Sequence, residues 1–200
     1  MKVVLMTHRF HDGEAAAEYA KAVSARLVED GHDPAIVSFR DGDYSVPEEV
    51  DVHRVELSFE GDNFFNWSMM LNNELKRAAR EAFDEEPDII HVVDWTTIPG
   101  GVTLSRHYES PLVVTFQSTE NERGFAGEHA GMISELEWQG SFEADKVLAT
   151  SEDTKNSLLF DLDVPEHKIE LLDPYSDAWT DRVLKIYESL VKDRKEVKKT

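Results

Sequence analysis

The sequence predicts an α/β fold built on a parallel sheet, and three stretches between Asp88 and Thr154 predict it. They are Asp88-Ile-Ile-His-Val-Val-Asp94-Trp95, Pro111-Leu-Val-Val-Thr-Phe-Gln117-Ser118-Thr119 and Asp145-Lys-Val-Leu-Ala-Thr-Ser151-Glu152, each an apolar run closed by polar residues. Unbroken runs of aliphatic and β-branched residues suit strands covered on both faces, and the segments between them carry helical periodicity. In an open parallel sheet the ligand site lies beyond the carboxyl ends of the strands. All three polar clusters are therefore expected on one rim.

Val3 to Thr7 is the first strand and His8 to Gly13 the loop after it. Glu14 to Asp30 is a helix, since Ala15, Tyr19, Ala22, Val23 and Leu27 recur on one face. Gly31 ends it, His32-Asp-Pro34 turns the chain, and Ala35 to Phe39 completes a first βαβ unit. Residues 40–50 are acidic and turn-rich, and Val52 to Leu57 alternates like a strand near an edge. Asn63 to Glu86 carries Phe64, Phe65, Trp67, Met70, Leu71, Leu75, Ala78, Ala79 and Phe83, a broad apolar face on a long helix read as core packing.

After the strand from Asp88 to Asp94, Pro99-Gly100-Gly101 opens a helix running through Val102 and Leu104 toward His107. Glu128 to Glu143 is the next, with Met132, Ile133, Leu136, Trp138 and Phe142 expected to be buried. Ser151-Glu-Asp-Thr154 reads as an N-cap with acidic residues in the first turn, which the helix dipole favours. Val164 to Leu172 is a loop and short strand, and Trp179 to Lys195 an amphipathic helix with Val183, Ile186, Tyr187 and Leu190. The expected organisation is one domain over residues 1–175, a terminal helix over 176–195 that packs back on it, and a basic tail over 196–200 that frays.

Two hundred residues, 40% of them hydrophobic, suffice for one substantial core. Twenty-one basic and 41 acidic side chains give a net charge of -20, which opposes nucleic acid and anionic membrane surfaces by like-charge repulsion. The absence of cysteine excludes disulfides, thiolate metal sites and a cysteine nucleophile. Met1 to Met6 is apolar too briefly for a signal peptide or a membrane span, so a cytoplasmic location is expected.

The order of motifs resembles the amino-terminal, acceptor-side lobe of two-lobed retaining glycosyltransferases of the GT-B type, the glycogen-synthase and family 4 kind. Gly31-His32 closes the first helix; Asp88, His91, Asp94 and Trp95 match a D-x-x-H-x-x-D-W strand end; Val113, Val114, Thr115, Ser118 and Thr119 match V-V-T-x-x-S-T. Glu135-Leu-Glu-Trp138, Ala144-Asp145, Thr150-Ser-Glu152 and Val164-Pro-x-x-Lys168-Ile169 follow in the family's order. The resemblance implies a Rossmann-like single lobe. The chain departs from the pattern in lacking a second glycine in the first loop, in having Gln117 where family members have histidine, and in having Pro174-Tyr-Ser-Asp177 where they have N-G-x-D. It also ends without a donor lobe, the lobe that in the resembled enzymes holds the nucleotide sugar. Ala178-Trp179 and the helix after it look like the terminal helix that crosses back onto the first lobe, so that lobe would be missing between Asp177 and Ala178.

The candidate substrate-binding residues are Gly13, Glu14, Asp94, Trp95, Gln117, Ser118 and Thr119, with Asp94 and Gln117 weak catalytic candidates. Gly13 and Glu14 sit where a strand meets a helix N-terminus, suited to an anion or sugar hydroxyl, or simply a tight turn. Asp94 can hold sugar hydroxyls and Trp95 stack on a pyranose; the alternative is an N-cap and a packed indole. Gln117 both donates and accepts but cannot carry a proton as histidine can. Glu135 and Glu137 are two apart and cannot face the same side, so one of them is expected in solvent. His8, His11 and His129 are too scattered, without a carboxylate at ligand spacing, for a metal site, and none is expected. No G-x-G-x-x-G or G-x-S-x-G is present, so a dinucleotide cofactor and a hydrolase triad find no support.

The implied function is to position a sugar or glucan acceptor, with activity only when a separate donor-binding lobe joins. No cofactor is expected in this chain itself, and the donor would be a nucleotide sugar of the UDP- or ADP-glucose type. The alternatives are a non-catalytic binding or scaffold protein and an isolated inactive domain. The partner would be a donor-lobe polypeptide or, through the exposed cleft face, a second copy.

Overall fold

The computed structural model describes residues 1–58, 61–83, 85–176 and 178–197. Seven parallel strands, β1 (Lys2–Arg9), β2 (Asp33–Phe39), β3 (Asp51–Val55), β4 (Ile89–Val93), β5 (Leu112–Phe116), β6 (Lys146–Ala149) and β7 (Ile169–Leu171), lie in the order β3-β2-β1-β4-β5-β6-β7. The first half of the chain winds outward from β1 to one edge, and α2 (Phe64–Glu81) carries it back to β4 on the other side of β1. The β1/β4 boundary is thus the switch point, where open α/β sheets place their ligand crevice.

Successive side chains of each strand enter opposite layers. Val3, Leu5, Ile89, Val93, Val113 and Leu148 pack under α1 (Ala15–Glu29) and α6 (Trp179–Val197). Val4, Met6, Ile90, Val92, Val114 and Phe116 pack on the other face, under α2, α3 (Ile98–Tyr108) and α5 (Glu152–Phe160). Both layers are apolar, which is why the strands are continuous rather than alternating in sequence. The result is the α/β, Rossmann-like parallel sheet between helices that the sequence predicts.

Two helices depart from expectation. α2 ends at Glu81 rather than Glu86, and its buried positions include Ser68 and Asn72. Asn72 donates from its amide to the carbonyls of Ser68 and Thr96, both at 2.7 Å, and accepts the Gly100 N–H at 2.7 Å. One side chain thereby pins the turn after β4 to its neighbours. On α4 (Ala130–Glu143), Met132, Trp138 and Phe142 are exposed, contrary to the expected burial. Ala130, Glu137, Gly140 and Ser141 face inward instead, because the helix lies close: a Cβ on Gly140 would meet Ile98 Cδ1 at 2.5 Å.

α6 packs Val183, Leu184, Tyr187 and Val191 into the α1 layer. Arg26 of α1 donates to Asp181 at 2.6 Å, and Arg194 donates to the Tyr108 carbonyl at 2.7 Å. The helix continues to Val197, two residues past the expected boundary, while Asp177 and residues 198–200 of the expected tail lie outside the described residues. Among the described residues no helix is long and apolar enough to cross a membrane.

Candidate functional site

The rim is built from the loops that follow β1, β4, β5 and β6. Gly13 takes a φ of +88°, a conformation glycine adopts without steric cost, and turns the chain into α1. Its N–H donates to the Glu18 carboxylate at 3.1 Å, and Lys21 bridges Glu18 and Asp12 at 3.3 and 2.8 Å. The amide expected to meet a ligand thus already serves the helix's own first turn. Glu14 holds the N-cap position through an extended backbone, with no capping bond from its side chain.

Asp94 is the strained residue of the rim, with φ +60° and ψ 168°, a combination costly for a side-chain-bearing residue. Its carboxylate accepts the Gln117 N–H at 2.9 Å, and its own N–H donates to the Thr115 carbonyl at 2.8 Å, tying β4 to β5. Burial raises its pKa to about 6, against the Gln117 N–H and Arg123, which lower it, and with Glu14 and Glu122, which raise it. Residues from two neighbouring loops, those after β1 and β5, therefore converge electrostatically on this carboxyl. Trp95 is packed away from the rim: 6% accessible, the indole stacks on Phe65 with centroids 5.9 Å apart and meets Phe64 edge-on at 5.7 Å. The packed alternative is the geometry observed.

After β5 the chain enters a loop held by charge. Ser118 Oγ accepts from Arg123 at 2.9 Å, Thr119 is buried with its hydroxyl 2.6 Å from that of Ser157, and the Thr119 N–H donates to Glu122 at 2.6 Å. The Glu120 N–H donates to both oxygens of Glu137 at 2.9 Å, and Arg123 reaches Glu120 and Glu137 at 3.0 Å each. Of the two candidate glutamates Glu135 is exposed and Glu137 fully buried, and burial lifts the Glu137 pKa to about 7. The sequence reading missed Arg123 and the role of Glu137; Glu137 is signalled only by sharing the inward face with Gly140 and Ser141.

A second polar set crosses the sheet interior. Thr115 Oγ donates to the Tyr19 hydroxyl at 3.0 Å and lies 2.7 Å from His91 Nε2, while His91 Nδ1 meets the Tyr187 hydroxyl. Burial holds the His91 pKa near 3, so the ring is neutral. With Thr115 donating to Tyr19, the His91 Nε2–H donates to Thr115 and Tyr187 donates to Nδ1. The line ends at a cleft of about 570 Å³ between α1, the ends of β5 and β6 and the start of α6, bordered by Tyr19, Gln117, Thr150, Tyr175 and Trp179. Among the described residues His8, His11 and His129 share no metal-sized cluster with carboxylates; the trio that does is Asp30, His32 and Glu188, on α1, β2 and α6 sides away from the rim.

The family description Glycosyltransferase Family 4 matches residues 16–174. The chain belongs to this family. The matched segment holds Asp94, Trp95, Gln117, Ser118 and Thr119, whereas Gly13 and Glu14 precede it. An uncharacterized glycosyltransferase of Methanocaldococcus jannaschii is 24% identical over 188 residues, 90% of this chain and 47% of the relative. The sucrose-phosphate synthase of Thermosynechococcus elongatus superposes with a TM-score of 0.69 at 15% identity, over 86% of this chain and 47% of that one. A form of the same synthase designated 27_220_406_426 gives 0.64 at 14% identity over 96% of this chain and 98% of that one. Anabaena HepE, solved with UDP and glucose, gives 0.58 at 12% identity over 86% and 44%. The family 4 chain thus spans about half the length of the full-length relatives it matches, and its fold is that of one Rossmann-like unit of the GT-B glycosyltransferases.

Proposed function

We propose that this family 4 domain is the acceptor-side lobe of a two-lobed glycosyltransferase, positioning a sugar or glucan hydroxyl for transfer from a nucleotide sugar held by a separate donor lobe. The observation that carries this reading is Asp94: strained, bonded to the Gln117 N–H, and placed at the switch point with its carboxyl near pKa 6. Such a group, poised near neutrality, can accept a hydrogen bond from an acceptor hydroxyl and take up its proton as the glycosidic bond forms. Gln117 and Ser118 orient the sugar, and Gly13 and Glu14 border it from the β1 side. Support for a separate donor lobe comes from the 98% coverage of the synthase form designated 27_220_406_426 against 47% of the other synthase chain, which fits this chain as one lobe of such an enzyme. Support for a uridine nucleotide sugar comes from HepE, solved with UDP and glucose.

A second reading, a binding protein without catalysis, is favoured by Arg123. Its guanidinium is spent on Glu120, Glu137 and Ser118, so the loop after β5 holds no free cation to clamp a leaving diphosphate among the described residues. The two readings separate in a transfer assay. The portion of the M. jannaschii relative that this chain does not cover, taken as the donor lobe, is inserted between Asp177 and Ala178, and radiolabelled UDP-glucose is supplied. Transfer to a glucan is expected from the fusion and not from the chain alone, and Asp94→Ala is expected to cut it by about a hundredfold or more. Turnover by the chain alone, or full activity in the Asp94→Ala fusion, would refute the first reading.

A further inference from the structure

We propose that the cleft beneath Trp179 is a subsite for an uncharged hexose unit, bordered by the rings of Trp179 and Tyr175 and hydrogen-bonded by Gln117 and Tyr19. The assignment rests on reading the rim as the acceptor side, and it extends that rim to the α1/α6 layer, away from Asp94 and the Arg123 loop.

The aromatic wall is the first observation. Tyr175 is 96% exposed, a bare ring at the mouth of the cleft, and Trp179 is only partly covered. One face of the Trp179 indole is backed by the buried Tyr19, centroids 5.0 Å apart and tilted 30°, and α6 is anchored at Asp181 and Tyr187. A platform held this firmly loses little freedom when a flat sugar face settles on it.

Hydrogen-bonding capacity is the second. The side-chain amide of Gln117 makes none of the hydrogen bonds found among the described residues, although it borders the cleft. It offers a donor and an acceptor side by side, the complement of vicinal hydroxyls. Tyr19 closes a line of donors, Tyr187 to His91 to Thr115 to Tyr19, so its oxygen accepts from behind and its own hydrogen is used in none of the hydrogen bonds found among the described residues. Charge is the third: among the described residues that border the cleft there is no lysine or arginine, and the one ionised side chain is Glu18, whose neighbour Lys21 at 3.3 Å is already shared with Asp12. A phosphate would meet a carboxylate whose only nearby cation among the described residues, Lys21, is already bonded to Glu18 and Asp12. The ligand is therefore a neutral sugar rather than a sugar phosphate or nucleotide, and 570 Å³ lies within the usual range of small-molecule sites.

Titration calorimetry and saturation-transfer NMR on the chain alone, with methyl glucoside, maltose, maltotriose and a hexose phosphate, test this. Saturable binding of the neutral saccharides is expected, weakened by about tenfold in Tyr175→Ala and in Gln117→Ala and more in Trp179→Ala. Tyr175 is exposed, so its variant retains the fold, which circular dichroism verifies. Phe160→Ala, at an exposed ring on α5, should bind like the parent. Absence of saturable binding, tighter binding of the hexose phosphate, or unchanged affinity in both Tyr175→Ala and Gln117→Ala would overturn the subsite. If those results occur while the donor-lobe fusion still transfers in an Asp94-dependent manner, the subsite falls and the acceptor reading stands. Saccharide binding that depends on Tyr175 and Gln117, without transfer by the fusion, has the opposite meaning.

Discussion

Replacing Glu137 by glutamine isolates one buried charge. The side chain has no exposed surface, and its carboxylate is met by the Glu120 N–H and by Arg123, yet burial outweighs both and lifts the pKa from 4.5 to about 7. The folded state therefore binds a proton that the unfolded state has released, across the window from about pH 4.5 to 7. Stability from this group is complete below the lower value and is lost as pH rises through the upper one. The difference of about 2.5 pH units corresponds to about 3 kcal/mol, of which about 2.5 kcal/mol is lost between pH 5 and 8. Glutamine keeps the shape and one acceptor but does not titrate. Urea unfolding of both proteins at half-unit steps from pH 5 to 8 should show the parent losing stability more steeply, with the Glu137→Gln advantage growing by about 2 kcal/mol toward pH 8. The general acid-side gain from the other carboxylates, 40 of the 41 Asp and Glu, acts on both proteins and cancels in the difference. A difference independent of pH would refute the claim that Glu137 ionises at a cost inside the fold.

Two further substitutions probe the layers on either side of the sheet. Tyr187→Phe removes the donor that faces His91 Nδ1 and leaves a buried acceptor unpaired, so a loss of about 1–3 kcal/mol in urea unfolding is expected. Gly140→Ala drives a methyl group to 2.5 Å from Ile98 Cδ1 and should cost about 1–3 kcal/mol despite the better helix propensity of alanine. Ile98→Val in the Gly140→Ala background deletes the clashing methyl and should recover part of the loss, measured as a shift in urea midpoint at unchanged slope.

The strands were readable because both faces of the sheet are covered, which leaves unbroken apolar runs at β1, β4, β5 and β6 and gives them ends that share a rim. The position of Asp94 and Gln117 on that rim follows from the same pattern. The inward face of α4 is hidden in the sequence for an equally physical reason. Its inner face carries Glu137, Gly140 and Ser141, so the usual rule that the apolar side faces inward points to the wrong side, and only the close approach to Ile98 and the reach of Arg123 decide it. Trp95 was ambiguous because its partner, Phe65, comes from another helix, beyond any local window. His91 and Thr115 were visible as polar residues within apolar strands, but their partners lie on α1 and α6, each 96 residues away along the chain from the group it meets.

These long-range contacts bear on what the rim can do, because they divide it into two halves of different chemistry. On the α4 side, Asp94 stands among Glu14, Glu122 and an Arg123 already bonded to Glu120 and Glu137, a setting that tunes a carboxyl and disfavours phosphate. On the α6 side, Tyr19, Trp179 and Tyr175 give an uncharged aromatic wall whose position is set by Tyr187, His91 and Asp181 rather than by the loop that precedes it. Gln117 borders both halves, its backbone bonded to Asp94 and its side chain turned to the cleft. A glutamine at the point where relatives of the resembled pattern carry histidine removes a proton carrier from the junction but keeps a hydrogen-bonding one. Under the proposed acceptor-side reading, that exchange would favour holding an acceptor across both halves, with proton transfer left to Asp94.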